Sequence, residues 1–323
     1  MTMAHRPIER FAATRLLTQT VSSASISAIA RVWATKRSAH MSTGPVRQHW
    51  VPKVYLRAFR SAPRERNQLY VRDLQSKKTY LSSIDKIAVK KHLYTLQPRS
   101  ERPDFIIEEK LAHLESEVAP ILAELRSTEF LPSDRVELSV LAKFFATLHM
   151  RSRQGLQMIH GFRRDAIQGS NEYENPLTRD LRDLDDEDVR EFFATSSVVV
   201  GSRLGERLLQ MHWRLFRAEE GHFITSESPV FSFHASEEQW GLGTPGVKTF
   251  CPISPSLLLL ITNEPFAPYV LDSRLTISQV NGVNGLRICG AEQFLFSDRS
   301  FESIFELLHA RERRMGPEFG PTL

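Results

Sequence analysis

FIIEEKLAHLESEVAPILAELR, residues 105–126, decides how this chain is read. Ile107, Leu111, Leu114, Val118, Leu122 and Leu125 recur at steps of three and four, which places them on one face of an α-helix. The spacing predicts a helix over Phe105–Arg126, kinked by Pro120. At about 100° per residue, Glu108 and Glu115 fall on one flank of the apolar stripe, at the edge of the core. Glu109, His113 and Glu117 have a spacing that could suit a metal, but they lie on the far side and are expected to face water.

Working outward, a second helix is predicted from the cap Ser133-Asp134 through Leu138, Leu141, Phe145 and Leu148 to about His160. Arg151 lies on it beside the core. A guanidinium there is a fork for a carboxylate or an anion, so an ion pair with Glu108 or Glu115 is expected, and that pair could floor a site. Residues 169–188 read as a polar loop. A short helix over VREFFA and another over Arg203–Phe216 follow.

Upstream, QLYVRDL and KTYLSS read as a hairpin turning at Gln75-Ser76-Lys77, with HLYTL, residues 92–96, as a third short strand. After Gly221 the pattern turns to strands: HFITSES, PVFSFH, SLLLLIT, PYVLD and EQFLFSD. SRLTISQVNGVNGL is expected to be a helix ending at Gly285, and Ser300–Arg314 a terminal helix. The order predicts an α+β fold. A helical middle segment packs on a mainly antiparallel sheet formed by an N-terminal hairpin and C-terminal strands.

RQHWVPKVYLRAFR, residues 47–60, mixes cations with aromatic and aliphatic residues. Pro52 suits the first position of a helix. Tyr55, Leu56 and Phe59 then face the core, and Lys53, Arg57, Arg60 and Arg64 form a basic back along a helix over residues 52–64. His49 lies just before that helix, where its amides and Lys53 would favour an anion such as phosphate. FITSESP, residues 223–229, drives a strand into a polar turn that offers Glu227 as a ligand or base. Ser226 is not in a GxSxG elbow, which argues against a hydrolase nucleophile.

The bulk numbers are those of an ordinary globular protein, with 41% hydrophobic and 25% charged residues among 323. No apolar run is long enough to span a membrane. The net charge of +4 is concentrated at the N-terminus, leaving the body near neutral and giving no global case for nucleic acid. Cys251 and Cys289, in apolar surroundings and outside any CxxC, are expected to be buried reduced thiols. Residues 1–46 are rich in Arg, Ser and Ala and read as a disordered or targeting-like extension. Met41 is an alternative start. A cytoplasmic location is expected, or a mitochondrial one if residues 1–40 are a transit peptide. Residues 47–315 are expected to form a single domain and 316–323 a tail.

Several segments together resemble a family of proteins of unknown function, domain of unknown function 4238. QHWVPKVYLRAF is similar to its HYVP-type opening, and EEKLAHLES to its Glu-x-x-Leu-x-x-x-Glu helix. LHMRS, FITSESPV and CPISPSLLLL resemble three further motifs, and the Asn281 to Asn284 region its late Asn-containing helix. The matches run in order over about residues 47–297. The resemblance marks His49, Pro52, Tyr55, Glu108, Glu115, Arg151 and Asn281, but implies no activity. It also notes a departure, because Glu227 stands where the family pattern usually has Asp.

Three functions follow as expectations. The first is a soluble protein with one polar pocket binding an anionic, phosphate-bearing ligand. His49, Glu108, Glu115, Arg151 and Glu227 would converge there, with Lys53, Tyr55, Arg57 and Asn281 as ligand contacts. The second is a metal-dependent phosphodiesterase or nuclease-like hydrolase holding Mg²⁺ or Mn²⁺, with Glu108 or Glu227 as ligand or base. The third is nucleic-acid binding through the basic helix 52–64.

Overall fold

The stripe over residues 105–126 does form a helix, and the rest of the α+β architecture is arranged around it. A computed structural model of the protein describes residues 44–97, 103–153, 155–156, 159–160, 164, 185–234, 245–266 and 273–314. The long helices are α2 (Ile106–Thr128), α3 (Arg135–Met150) and α4 (Asp186–Leu208), preceded by the single turn α1 (Lys53–Leu56) and followed by α5 (Ile277–Gly290) and α6 (Phe305–Arg314). None of the described helices is long and apolar enough to cross a membrane.

The strands form three sheets. β1 (Arg47–His49) pairs antiparallel with β4 (Val89–Lys91). The N-terminal hairpin, β2 (Gln68–Asp73) and β3 (Thr79–Ser83), is extended by two C-terminal strands in the order β3-β2-β11-β6. Here β11 is Phe294–Ser297 and β6 is Thr225–Ser226. The remaining strands make a separate five-stranded sheet, β10-β5-β9-β8-β7, from β5 (His212–Ala218), β7 (Phe231–Phe233), β8 (Lys248–Ser254), β9 (Leu257–Thr262) and β10 (Arg274–Leu275). All of its pairings are antiparallel except β10 with β5.

α2 buries Ile107, Leu111, Val118, Leu122 and Leu125, and Glu109, His113 and Glu117 are exposed. α3 starts at the Asp134 cap, whose carboxylate accepts from the Val136 amide at 2.9 Å. α3 and α4 cross closely because α4 presents glycine there. A Cβ on Gly201 would stand 2.8 Å from Thr147 Oγ1, and one on Gly205 2.8 Å from Lys143 Cα. The main core joins these helices to Tyr55, Phe59, Val71, Leu257 and Ile261.

The structure corrects several expected elements. No helix runs over residues 52–64. α1 gives way to a 3₁₀ turn over Arg57–Phe59, and Arg60 is extended. Pro63 has no amide to continue a helix, and the Ser61 amide bonds the Gln68 carbonyl instead. The short strand beside β1 is VKK rather than HLYTL, three residues earlier, with polar side chains that hide the pattern. The helix expected to reach His160 is broken: α3 ends at Met150 with Arg151 as its C-cap, and the described residues 153, 155–156 and 159–160 are helical again.

VREFFA and the start of the next predicted helix are one 23-residue helix, α4. The β-branched run Val198–Val200 reads as a break, but it stays helical against α3. Residues 212–216 belong to β5, not to a helix, since the adjacent buried pair Leu215 and Phe216 marks neither period by itself. Within HFITSES only Thr225 and Ser226 pair as a strand. α5 continues five residues beyond Gly285. Cys251 is buried, but Cys289 is exposed on α5; both are free thiols. PYVLD and most of the loop over 169–188 lie outside the described residues.

Candidate functional site

The site is built on β1 and on residues 92–97 beside it. Gln48 points inward and is fully buried. Its amide donates to Thr95 Oγ1 at 2.9 Å, and its carbonyl oxygen accepts from the Tyr94 amide at 2.6 Å. From the opposite side, Arg190 on α4 donates to the carbonyls of His92 and Leu93 at 2.8 and 3.1 Å. Neighbouring Glu191 accepts the Gln97 amide at 2.5 Å. Tyr94 is thereby fixed, its ring stacked on Phe193 with centroids 6.1 Å apart.

Arg151 organises what lies around Tyr94. It is placed by the end of α3 and is only 3% exposed. Nη1 donates to Glu115 Oε1 at 2.7 Å, Nε donates to the Tyr94 hydroxyl at 3.3 Å, and Nη2 donates to the His49 carbonyl. The Tyr94 hydroxyl donates in turn to the Arg151 carbonyl at 3.3 Å. Burial works against the Arg151 charge, but Tyr94 and Glu115 outweigh it and hold the guanidinium firmly protonated. Burial pushes Tyr94 up to about 12, so it stays a neutral donor.

Glu108 is the unsettled member. It sits in the first turn of α2, on the same flank as Glu115. Its Oε2 is buried and has no hydrogen-bond partner among the described residues. Burial pushes its carboxyl up to about 7; Arg151 pulls it back and Glu115 adds to the rise. A buried oxygen without a partner costs free energy, and here the carboxyl answers by holding its proton up to neutral pH.

His49 turns its two ends to different neighbours. Its carbonyl meets Arg151, whereas its ring Nε2 lies 3.3 Å from the Ile84 carbonyl. The acid acting on the ring is Asp85, which pairs with Lys53 at 2.6 Å. Burial above all lowers the His49 pKa to about 4, with Lys53 and Arg151 adding to the fall, so the imidazole is neutral.

The other predicted positions lie elsewhere in the fold. Glu227 is completely buried, and its two oxygens accept the amides of Glu292, Gln293 and Phe294 at 2.7, 2.8 and 2.9 Å. Those bonds fasten the turn after β6 to the start of β11. The Tyr55 hydroxyl donates to the Pro252 carbonyl at 2.5 Å and lies 2.9 Å from Thr225 Oγ1. Arg57 is exposed, and Asn281 is half-buried on α5. One turn later, buried Asn284 takes the Ile224 amide at 3.1 Å and donates to the His222 carbonyl at 2.8 Å.

The structure therefore brings together Glu108, Glu115, Arg151 and the backbone of His49. Gln48, Tyr94 and Asp85 escaped the sequence reading, and Asn284 entered it only as the end of the resembling Asn281 to Asn284 region. Gln48 and Tyr94 act through contacts 46 residues apart, which no local spacing signals. Among the described residues no group of three or more His, Cys, Asp or Glu side chains is arranged to hold a metal.

The chain matches over residues 47–301 a family described as protein of unknown function (DUF4238), and it belongs to that family. No curated protein is significantly similar to it. No solved structure is significantly similar either.

Proposed function

We propose that this member of the family recognises a small polar molecule at the Glu108–Glu115–Arg151 cluster, through a hydrogen-bond donor presented to Glu108. The observation that carries this is the buried, unpartnered Oε2 of a carboxyl pushed up to about 7. Such perturbed groups mark candidate sites. The charge count favours the class of ligand. Arg151 and Glu115 cancel, and His49 is neutral, so the cluster is neutral while Glu108 keeps its proton and carries one negative charge in excess once Glu108 ionises above about 7. An amine, guanidine, amide or hydroxyl group completes that set.

The anionic, phosphate-bearing ligand is the competing reading, and it requires Glu108 to be protonated. Lys53 is engaged by Asp85, and α1 is a single turn, so neither adds an anion pocket beside His49. The two readings differ in sign. A donor ligand stabilises ionised Glu108, so its affinity rises as pH rises through about 7. An anion prefers protonated Glu108, so its affinity rises as pH falls through the same range.

Thermal shift on the full chain, at one pH on each side of that value, separates them. The probes are ethanolamine, methylguanidine, adenosine and inorganic phosphate. A donor probe should raise the melting temperature more at the higher pH, and Glu108→Ala and Glu108→Gln should abolish the difference. Stabilisation by phosphate alone, growing as pH falls, or a donor effect that survives both variants would overturn the proposal.

A further inference from the structure

Charge is divided unevenly along this chain. Residues 47–91 hold twelve Lys and Arg against three acids, while residues 92–323 hold ten more acids than bases. Near neutrality of the body thus conceals one strongly basic segment. The fold gathers its cations into a corner. Arg47 on β1 is the register partner of Lys91 on β4. Arg47 also donates to the Asp85 carbonyl at 3.5 Å, and Lys53 pairs with the Asp85 carboxylate. Lys86 follows directly. The Ile84 amide bonds the Asn67 carbonyl at 3.0 Å, which brings the 3₁₀ turn Arg64–Arg66 alongside.

We propose that this corner is a nucleic-acid-binding face that grips the phosphodiester backbone. Arg47, Arg57, Arg64, Lys86, Lys90 and Lys91 are all exposed, and among the described residues no acid pairs with any of them. Of the three acids in residues 47–91, Glu65 and Asp85 lie beside these cations, and Asp85 is engaged by Lys53. A solvated protein surface normally intersperses both signs; a corner wrapped by cations, with Arg47 and Lys91 on one side of the β1–β4 ribbon and Lys90 on the other, is the electrostatic footprint of a polyanion site. Arginine adds forked donors that match phosphate oxygens.

An anionic membrane offers phosphate too, but a membrane-surface element needs an apolar face to insert. Here Tyr55 and Leu56 of α1 are buried in the core and Val54 is half-buried; the exposed Tyr80 and Leu81 are neighbours on β3 and point to opposite faces, so with Val46 they make no continuous apolar face. Tyr80 on the neighbouring edge strand β3 is 43% exposed and gives a base a ring to stack on. This face replaces the single basic helix expected from sequence, and it does not depend on what Glu108 binds.

The test is fluorescence anisotropy of the full chain with labelled single-stranded RNA and duplex DNA. Binding should weaken at least about tenfold between roughly 50 and 200 mM salt, as several released counterions require. The quadruple variant Arg64→Glu, Lys86→Glu, Lys90→Glu, Lys91→Glu should bind at least about tenfold more weakly at low salt. Its melting temperature should stay close to wild type, since all four side chains are exposed. Gln at the same positions should give a smaller loss in the same direction. Equal binding by wild type and the Glu variant would overturn the proposal, as would no binding at low salt. Preference for phosphatidylserine vesicles that oligonucleotide does not compete away would also overturn it.

Discussion

Arg151 Nη1 stands 2.7 Å from Glu115 Oε1, joining the end of α3 to the middle of α2 in a mostly buried ion pair. The same guanidinium holds Tyr94 and the His49 carbonyl. Removing it strands Glu115 and frees a buried carbonyl. Arg151→Met should therefore lose about 3–5 kcal/mol in urea denaturation, the cost of breaking a buried pair. Arg151→Lys should recover only part of that, because an ammonium cannot serve all three directions. Full stability in Arg151→Met would show that the hub is decorative.

Glu108 makes stability fall where pH rises. Its folded pKa, about 7, lies above its ordinary value of 4.5. The folded state therefore holds the proton more tightly than the unfolded chain. That contribution is complete below about 4.5, is lost as pH climbs to about 7, and stays absent above. Glu108→Gln removes the loss. At pH values above 7 it should raise stability by about 1–2 kcal/mol after allowance for partial solvent screening, and leave acid stability little changed. Melting curves across that range check this, and an unchanged slope in the variant would contradict it.

His49 works in the opposite direction. Its folded pKa of about 4 lies below the ordinary 6.5, so the unfolded chain binds the proton first and stability declines as pH falls through that window. His49→Gln, whose amide can still donate to the Ile84 carbonyl, should flatten this acid limb. An identical limb in variant and wild type would place the cause elsewhere.

Glu227 accepts three backbone amides from one turn. Glu227→Ala leaves those buried donors unmet and should cost about 3 kcal/mol or more. Glu227→Gln keeps one acceptor oxygen and should fall between. If Glu227→Ala melts like wild type, the turn is held by other contacts.

Much of the fold was legible because helices α2 and α3 announce themselves by period and cap. The placement of Glu108 and Glu115 at the stripe's edge followed from the same geometry. α4 and β5 were not legible, since Val198–Val200 and His212–Phe216 carry local preferences that packing overrides. Gly201 and Gly205 set the α3–α4 approach, a relation visible only with both helices in place. Gly201→Ala should cost about 1–3 kcal/mol by overpacking against Thr147, and a neutral effect would mean the helices can separate freely. The site divides the same way. Arg151 with Glu115 is a pairing that charge and position suggest, whereas Tyr94 is locked by Gln48 and Arg190 from segments far along the chain.

The protonation state of Glu108 decides whether the cluster is a ligand site or a bare ion pair. Carboxyl-carbon NMR titration of the full chain, with Glu108→Gln to assign the signal, measures it directly. The predicted result is a midpoint of about 7. A midpoint near the ordinary carboxylate value of roughly 4 would mean that Oε2 is solvated, and the cluster would then be an ion pair with no site attached.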